Sequence, residues 1–324
     1  MEKFEVTILG CGSAKPSTRH FPSAQIINFR DKLFLVDCGE GTQMQMCRNH
    51  VRFTRMNNIF ISHLHGDHCF GLIGLLSSLE LLGRTAEMHI YAPGQLEKIL
   101  FNDIAFFNRG MSYKITFHPV DTEKNKLLYE DNSLQVYSVP LDHRLPCSGF
   151  LFVEKPVLPH IRKDMIDYYN IPYYAIKDIK EGADWILPSG EAVPSEKLTT
   201  PSYRPRIYAY CSDTAYSERL KDIIYGSNVL YHEATFADDL EALANERGHS
   251  TARQAATVAR ESNVGQLVIG HYSSRYEDES LLPLPWKRRE PQSLWCRRTV
   301  WWPRLSIVLL RSFPTIPWCN VRRR

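Results

Sequence analysis

The sequence predicts an α/β fold in which two β-sheets are sandwiched between helices, and three observations predict it. Short strand-like runs alternate with helical stretches along most of the chain. An apolar content of 44% over 324 residues is enough for a substantial core. One apolar strand, residues 58–61, opens directly into a loop crowded with metal-ligating side chains, Ser62-His63-Leu64-His65-Gly66-Asp67-His68.

Residues 4–9 alternate well enough to be a first strand, and Gly10-Cys11-Gly12-Ser13-Ala14 follows as a tight glycine turn. Residues 24–29 and 32–37 make a hairpin-like pair, closed by a second glycine turn, Asp37-Cys38-Gly39-Glu40-Gly41-Thr42, before a helical stretch through Arg48. Such a turn lets backbone approach a bound metal or phosphate closely, and a plain structural turn explains it equally well.

Imidazole nitrogen and carboxylate oxygen are what Zn²⁺ binds in sites that do chemistry. His63 and His65 sit two apart, so in an extended segment they point the same way. Gly66 lets the chain turn and bring Asp67 and His68 round the other side, so one loop can serve two metals. The alternative, a histidine-rich surface loop, agrees poorly with the buried-looking strand before it and the all-round apolar helix, 69–83, after it.

Residues 87–91, a helix over 94–107 and strands at 113–117, 127–129 and 134–140 continue the alternation. The last delivers Leu141-Asp142-His143, which places His143 just past a strand end, where a ligand belongs. Residues 152–205 are broken by seven prolines and read as an irregular excursion with short helical pieces, such as 161–169. Residues 206–210 form a strand ending in Cys211-Ser212-Asp213-Thr214. Each oxygen of the Asp213 carboxylate can bind a cation, and a helix N-cap is its alternative role. Residues 228–231 then lead to His232-Glu233-Ala234-Thr235-Phe236. Gly248-His249-Ser250-Thr251 opens a helix over 252–261, and a strand at 266–269 ends in Gly270-His271-Tyr272-Ser273-Ser274-Arg275-Tyr276.

The N-terminus is charged, with no basic stretch leading into an apolar one, and no apolar run reaches the roughly 18 residues that cross a bilayer. A cytoplasmic protein without a membrane anchor is expected. The eight cysteines have no paired spacing, so reduced thiols are expected rather than disulfides. The net charge of +3 divides into +9 from residues 283–324 and −6 from the rest, so overall basicity is no argument for nucleic acid.

The run from His63 to His68 resembles the His-x-His-x-Asp-His signature of the metallo-β-lactamase superfamily. Together with Asp-Cys-Gly-Glu-Gly-Thr-Gln at 37–43, His-Glu-Ala-Thr-Phe at 232–236, Gly-His-Ser-Thr at 248–251 and Gly-His-Tyr-Ser-x-Arg-Tyr at 270–276, residues 1–282 resemble its ribonuclease Z branch. The resemblance implies a four-layer αβ/βα sandwich and two Zn²⁺ per subunit. His63, His65 and His143 would hold one ion, Asp67, His68 and His271 the other, with Asp213 bridging. It further implies that Asp67 takes a proton from the attacking water, that His249 is the general acid and that Glu233 orients it. The implied substrate is precursor tRNA, cut 3′ of the acceptor stem to leave a 3′-hydroxyl. The implied assembly is a homodimer in which the 152–205 arm of one subunit grips tRNA for the other.

Beyond Leu282 the composition changes abruptly, with five of the six tryptophans among arginines and prolines and no helix or strand period. We read residues 283–324 as a frame-shifted translation outside the fold; a genuine basic RNA-binding tail is the rival. Two other functions use the same residues: a hydrolase of small phosphodiesters or esters, and a tRNA-binding protein left inert by its altered C-terminus.

Overall fold

A computed structural model describes residues 2–15, 17, 20–107, 111–276 and 307–309. They fall into two compact units, one of residues up to 153 together with those from 206 onward, and one of residues 154–205.

The first unit opens with strands β1 (Phe4–Gly10), β2 (Ala24–Phe29) and β3 (Lys32–Val36), helix α1 (Thr42–Arg48) and strand β4 (Met56–Phe60). A single helical turn α2 (Gly66–Cys69), helix α3 (Leu72–Leu81), strand β5 (Met88–Ala92), helix α4 (Gln95–Phe107) and strand β6 (Ile115–Pro119) complete its first half. Strands β7 (Leu127–Glu130), β8 (Leu134–Leu141) and β9 (Cys147–Glu154) follow. The second unit contributes β10 (His160–Ile161), α5 (Lys163–Tyr169), α6 (Ile176–Lys180), β11 (Trp185–Ile186), β12 (Ala192–Val193), α7 (Ser195–Leu198) and β13 (Thr199–Thr200). The chain then returns through β14 (Ile207–Cys211), α8 (Glu218–Ile223), β15 (Val229–Glu233), α9 (Glu241–Arg247), α10 (Ala252–Glu261), β16 (Leu267–Gly270) and β17 (Ile307–Leu309).

These strands form a seven-stranded sheet in the order β17-β1-β2-β3-β4-β5-β6 and a six-stranded one in the order β16-β15-β14-β9-β8-β7. Strands β3 to β6 run parallel to one another, as do β14 to β16. The period-two alternation of side chains sorts the apolar residues of each strand into two cores. Val36 and Phe60 face an inter-sheet core shared with Phe150, Phe152 and Tyr210. Leu35, Ile59 and Ile61 face an outer core closed by Leu72, Leu75, Leu76 and Leu79 of α3. On the far side Ala209 and Leu230 pack under Ala255, Val258 and Ala259 of α10. Three apolar layers thus separate helix, sheet, sheet and helix, which is the four-layer sandwich expected.

Phe60 anchors the middle layer. Its ring stacks on Tyr91 at 4.5 Å and meets Phe150 and Phe152 edge-on at 5.2 and 5.7 Å. Phe60→Ala is expected to cost about 3–5 kcal/mol of stability; chemical denaturation would measure it, and a loss under about 1 kcal/mol would mean that the layer repacks.

Two expectations need correction. The excursion expected from residue 152 starts later, because Phe152, Val153 and Glu154 close β9, central in the second sheet. The excursion has the short helical pieces expected, α5 among them, and adds two two-stranded ladders, β10 with β13 and β11 with β12, with an apolar cluster of Ile171, Ala175, Ile179, Val193 and Leu198. Of the tail at 283–324 only Ile307–Leu309 is described, and its backbone pairs antiparallel with β1, Glu5 opposite Leu309, so these three residues lie inside the first sheet. The rest of the tail lies outside the described residues. Among the described residues no cysteine forms a disulfide, and no helix is long and apolar enough to cross a membrane.

Candidate metal centre

The candidate residues follow the carboxyl ends of five strands. His63 to His68 leave β4, His143 follows β8, Asp213 follows β14, Glu233 ends β15 and His271 follows β16. Strands β14, β15 and β16 run parallel, and side chains that follow them meet those after β4 and β8, so these ends gather at one edge of the two sheets, where open α/β sheets place their ligands.

The seven expected ligands converge there. One ligand atom from each of His63, His65, His143 and Asp213 lies within 4.8 Å of the others, and so it does for Asp67, His68 and His271. Asp213 faces both groups with different oxygens. Its Oδ2 lies 3.5 Å from His63 Nε2 and 3.9 Å from His143 Nε2. Its Oδ1 lies 3.2 Å from His271 Nε2 and 3.4 Å from His68 Nε2. That is the disposition of a bridging carboxylate.

Partners outside the cluster fix the rings. The Nδ1 of His68 pairs with Asp37 at 2.7 Å, that of His271 with the Thr235 hydroxyl at 2.9 Å, that of His143 with the Gly248 carbonyl at 2.7 Å and that of His63 with the Ser62 hydroxyl at 3.0 Å. Each of these rings therefore turns its Nε2 inward, while His65 alone offers Nδ1, 2.9 Å from His63 Nε2 and 3.3 Å from His143 Nε2. Asp67 Oδ2 accepts the backbone N–H of Ala14 at 2.6 Å, so the first glycine turn also reaches the site. His271 sits at φ 61 and Asp37 at φ 57, a left-handed conformation held here by the surrounding bonds.

The donor set fits divalent cations. Ligands at 2.0–2.1 Å around a tetrahedral ion stand roughly 3.3 Å apart, and the nitrogen–nitrogen and nitrogen–oxygen separations above bracket that figure. Charge points the same way. Burial opposes charge on His68, but Asp213, Asp37 and Asp67 around it push its pKa up to about 10. Burial and the neighbouring His68 hold His63 well below its ordinary value, in the neutral form a metal needs. Asp37, Asp67 and Asp213 thus gather negative charge around the imidazoles, which a divalent cation would offset.

His249 stands apart. Its Nδ1 meets Glu233 Oε1 at 2.7 Å, and Glu233 also accepts the N–H groups of Thr214 and Thr235 and the Thr235 hydroxyl. Burial pulls the His249 pKa down, but the Glu233 charge outweighs it and the ring titrates above its ordinary value. A capping box at the start of α10, with the Thr251 side chain on the Gln254 N–H and Gln254 answering on the Thr251 N–H, fixes the segment that carries it. His249 also falls into a third ligand group with Asp213 and His271, so a place beside the cations is open to it.

Sequence reasoning missed Asp37, Ser62, Thr235 and Tyr210 as parts of the site. The Tyr210 hydroxyl donates to Asp37 Oδ2 at 2.6 Å, while Ser62 donates to the same carboxylate through both N–H and hydroxyl. The glycine turn at 37–42 lies against the histidine loop, Cys38 N–H on the His68 carbonyl and Gly71 N–H on the Cys38 carbonyl. Asp37→Asn is expected to weaken metal binding by about 10–100-fold; metal titration against a chelator would measure it, and unchanged affinity would make Asp37 a packing group only.

A four-layer sandwich with two carboxylate-bridged histidine groups on its carboxyl edge defines a metal-dependent hydrolase of the metallo-β-lactamase fold. The metallo-β-lactamase fold protein YhfI from Bacillus subtilis superposes with a TM-score of 0.56 at 16% identity, covering 84% of this chain and 88% of that one. Over residues 4–132 the chain matches the family profile of the anti-Pycsar protein Apyc1. It is 54% identical to a ribonuclease Z of Phocaeicola vulgatus over 93% of its own length and 97% of that protein. Human tRNase Z, short form, aligns at 28% identity with a TM-score of 0.64 over 85% of this chain and 94% of that one. The chain belongs to the ribonuclease Z family.

Proposed function

We propose that the protein is a zinc-dependent endoribonuclease that removes the 3′ trailer from precursor tRNA and leaves a 3′-hydroxyl on the tRNA. The observation that carries this reading is the pair of ligand groups sharing Asp213 beside an imidazole held by Glu233. His63, His65 and His143 would hold one Zn²⁺ and Asp67, His68 and His271 the second. When bound, such a pair supplies a water made acidic near neutrality and offsets charge at both the attacking and departing oxygens.

The chain supplies the proton transfers. Water attacks phosphorus and gives its proton to Asp67, the bond from phosphorus to the tRNA 3′ oxygen breaks, and that oxygen takes a proton from His249. The trailer keeps the phosphate. Glu233 holds the Nδ1 proton of His249, which leaves Nε2 to face the departing oxygen. The surrounding cavity, about 730 Å³, is lined by Asp67, Asp213 and His249, so substrate entering it reaches all three.

The 154–205 unit is the proposed grip on the tRNA body, presented across a homodimer in a cytoplasmic enzyme. The tail at 283–324 is proposed to be frame-shifted, as its composition suggests. Incubating the zinc-loaded chain with a precursor tRNA and mapping both product ends tests the central reading. A 3′-hydroxyl at the end of the acceptor arm and a 5′-phosphate on the trailer are expected. Hydrolysis of bis-p-nitrophenyl phosphate without any site-specific cut in the precursor would leave a small-ester hydrolase instead.

A further inference from the structure

Phe70 is 73% exposed, yet it lines the catalytic cavity rather than the general surface. It stands one turn beyond Asp67's neighbour Gly66, its N–H bonded to the Gly66 carbonyl at 2.9 Å. The ring sits close against that glycine: a Cβ at position 66 would fall 2.3 Å from the Phe70 ring, so only glycine leaves the ring where it is. The other aromatic wall of the cavity, Phe236, is 5% exposed and already engaged, with the Arg275 guanidinium 5.3 Å from its centroid and His249 at 5.9 Å. Lys15, Arg144, Arg247 and Arg275 also line the opening. An uncovered aromatic face bordered by cations in a nuclease cavity is the arrangement on which unpaired bases stack.

We infer that Phe70 is a stacking platform for the first trailer nucleotide, and so a positioning residue for the scissile phosphodiester. The inference rests on the tRNA reading above. The assignment to the trailer follows from the placement of Phe70 and His249 on different sheets. The departing oxygen belongs to the tRNA at His249, in a segment of the second sheet's half, whereas Phe70 shares its turn with Asp67 after β4 of the first sheet and lines the same cavity from there, which leaves it to the chain on the far side of the scissile bond. Lys15, Arg144, Arg247 and Arg275 hold the flanking phosphates without reading sequence, while the Phe70 ring accepts any base and favours purines for their larger face.

A double-mutant cycle tests this on the zinc-loaded full chain, with precursor carrying either a purine or an abasic site at the first trailer position. Removing the base, or making Phe70→Ala, is expected to raise KM about tenfold each, and both together to raise it little further. Phe70→Trp is expected to restore the dependence on the base, whereas Phe70→Leu, apolar but without an aromatic face, is not. An abasic site that costs Phe70→Ala as much as it costs the unaltered chain would overturn the inference, as would coupling to the last tRNA nucleotide instead. Failure of the unaltered chain to remove the trailer at all would overturn the tRNA reading as well, so the two failures are told apart by the first measurement.

Discussion

Asp213→Ala is expected to abolish precursor cleavage, with a loss in kcat/KM beyond about 10³-fold, and to leave fewer than two zinc ions per chain. The magnitude follows from position. An outer partner of a metal ligand costs roughly 10–100-fold when removed, whereas Asp213 faces His63 and His143 with one oxygen and His68 and His271 with the other. Losing it removes the link between the two groups and leaves four inward-facing imidazoles without their shared carboxylate. Metal analysis and end-mapped cleavage measure the two effects. Full zinc content with near-normal turnover would refute the bridging role.

His249→Ala is expected to lower kcat by about 10²–10⁴-fold, the usual contribution of a general acid, while zinc content stays at about two per chain. The expectation rests on the bond from Nδ1 to the fully buried Glu233, which commits that nitrogen and leaves the other for the substrate. Since His249 also lies within reach of Asp213 and His271, loss of zinc in this variant would make it a ligand instead. Turnover and metal content are therefore to be measured on the same preparation.

The convergence of these seven side chains was legible in the sequence because they lie in segments that follow apolar strands, where imidazoles and carboxylates have few other uses. Their outer partners were not. Asp37 meets Tyr210 across 173 residues and Thr235 meets His271 across 36, and a lone aspartate, tyrosine or threonine carries no spacing that announces such a meeting. The layer architecture was legible from alternation, but β9 was not, because it is buried on both faces and so shows no alternation. The fold explains its glycine: a Cβ at 149 would fall 2.4 Å from the Tyr210 carbonyl of the adjoining strand, so Gly149 marks a close strand approach rather than a bend. The excursion at 154–205 hid its ladders for a related reason, since two-residue ladders are too short to show a period.

Each ligand group draws on both sheets, with His63, His65, Asp67 and His68 from the first and His143, Asp213 and His271 from the second. A metal pair bound there would therefore act as a rivet through the sandwich as well as a reagent. Its binding energy would add to folding in proportion to the logarithm of free metal concentration, so a melting temperature that climbs as zinc is buffered upward is the expected result, with metal starvation loosening the protein along the same edge where it would silence it.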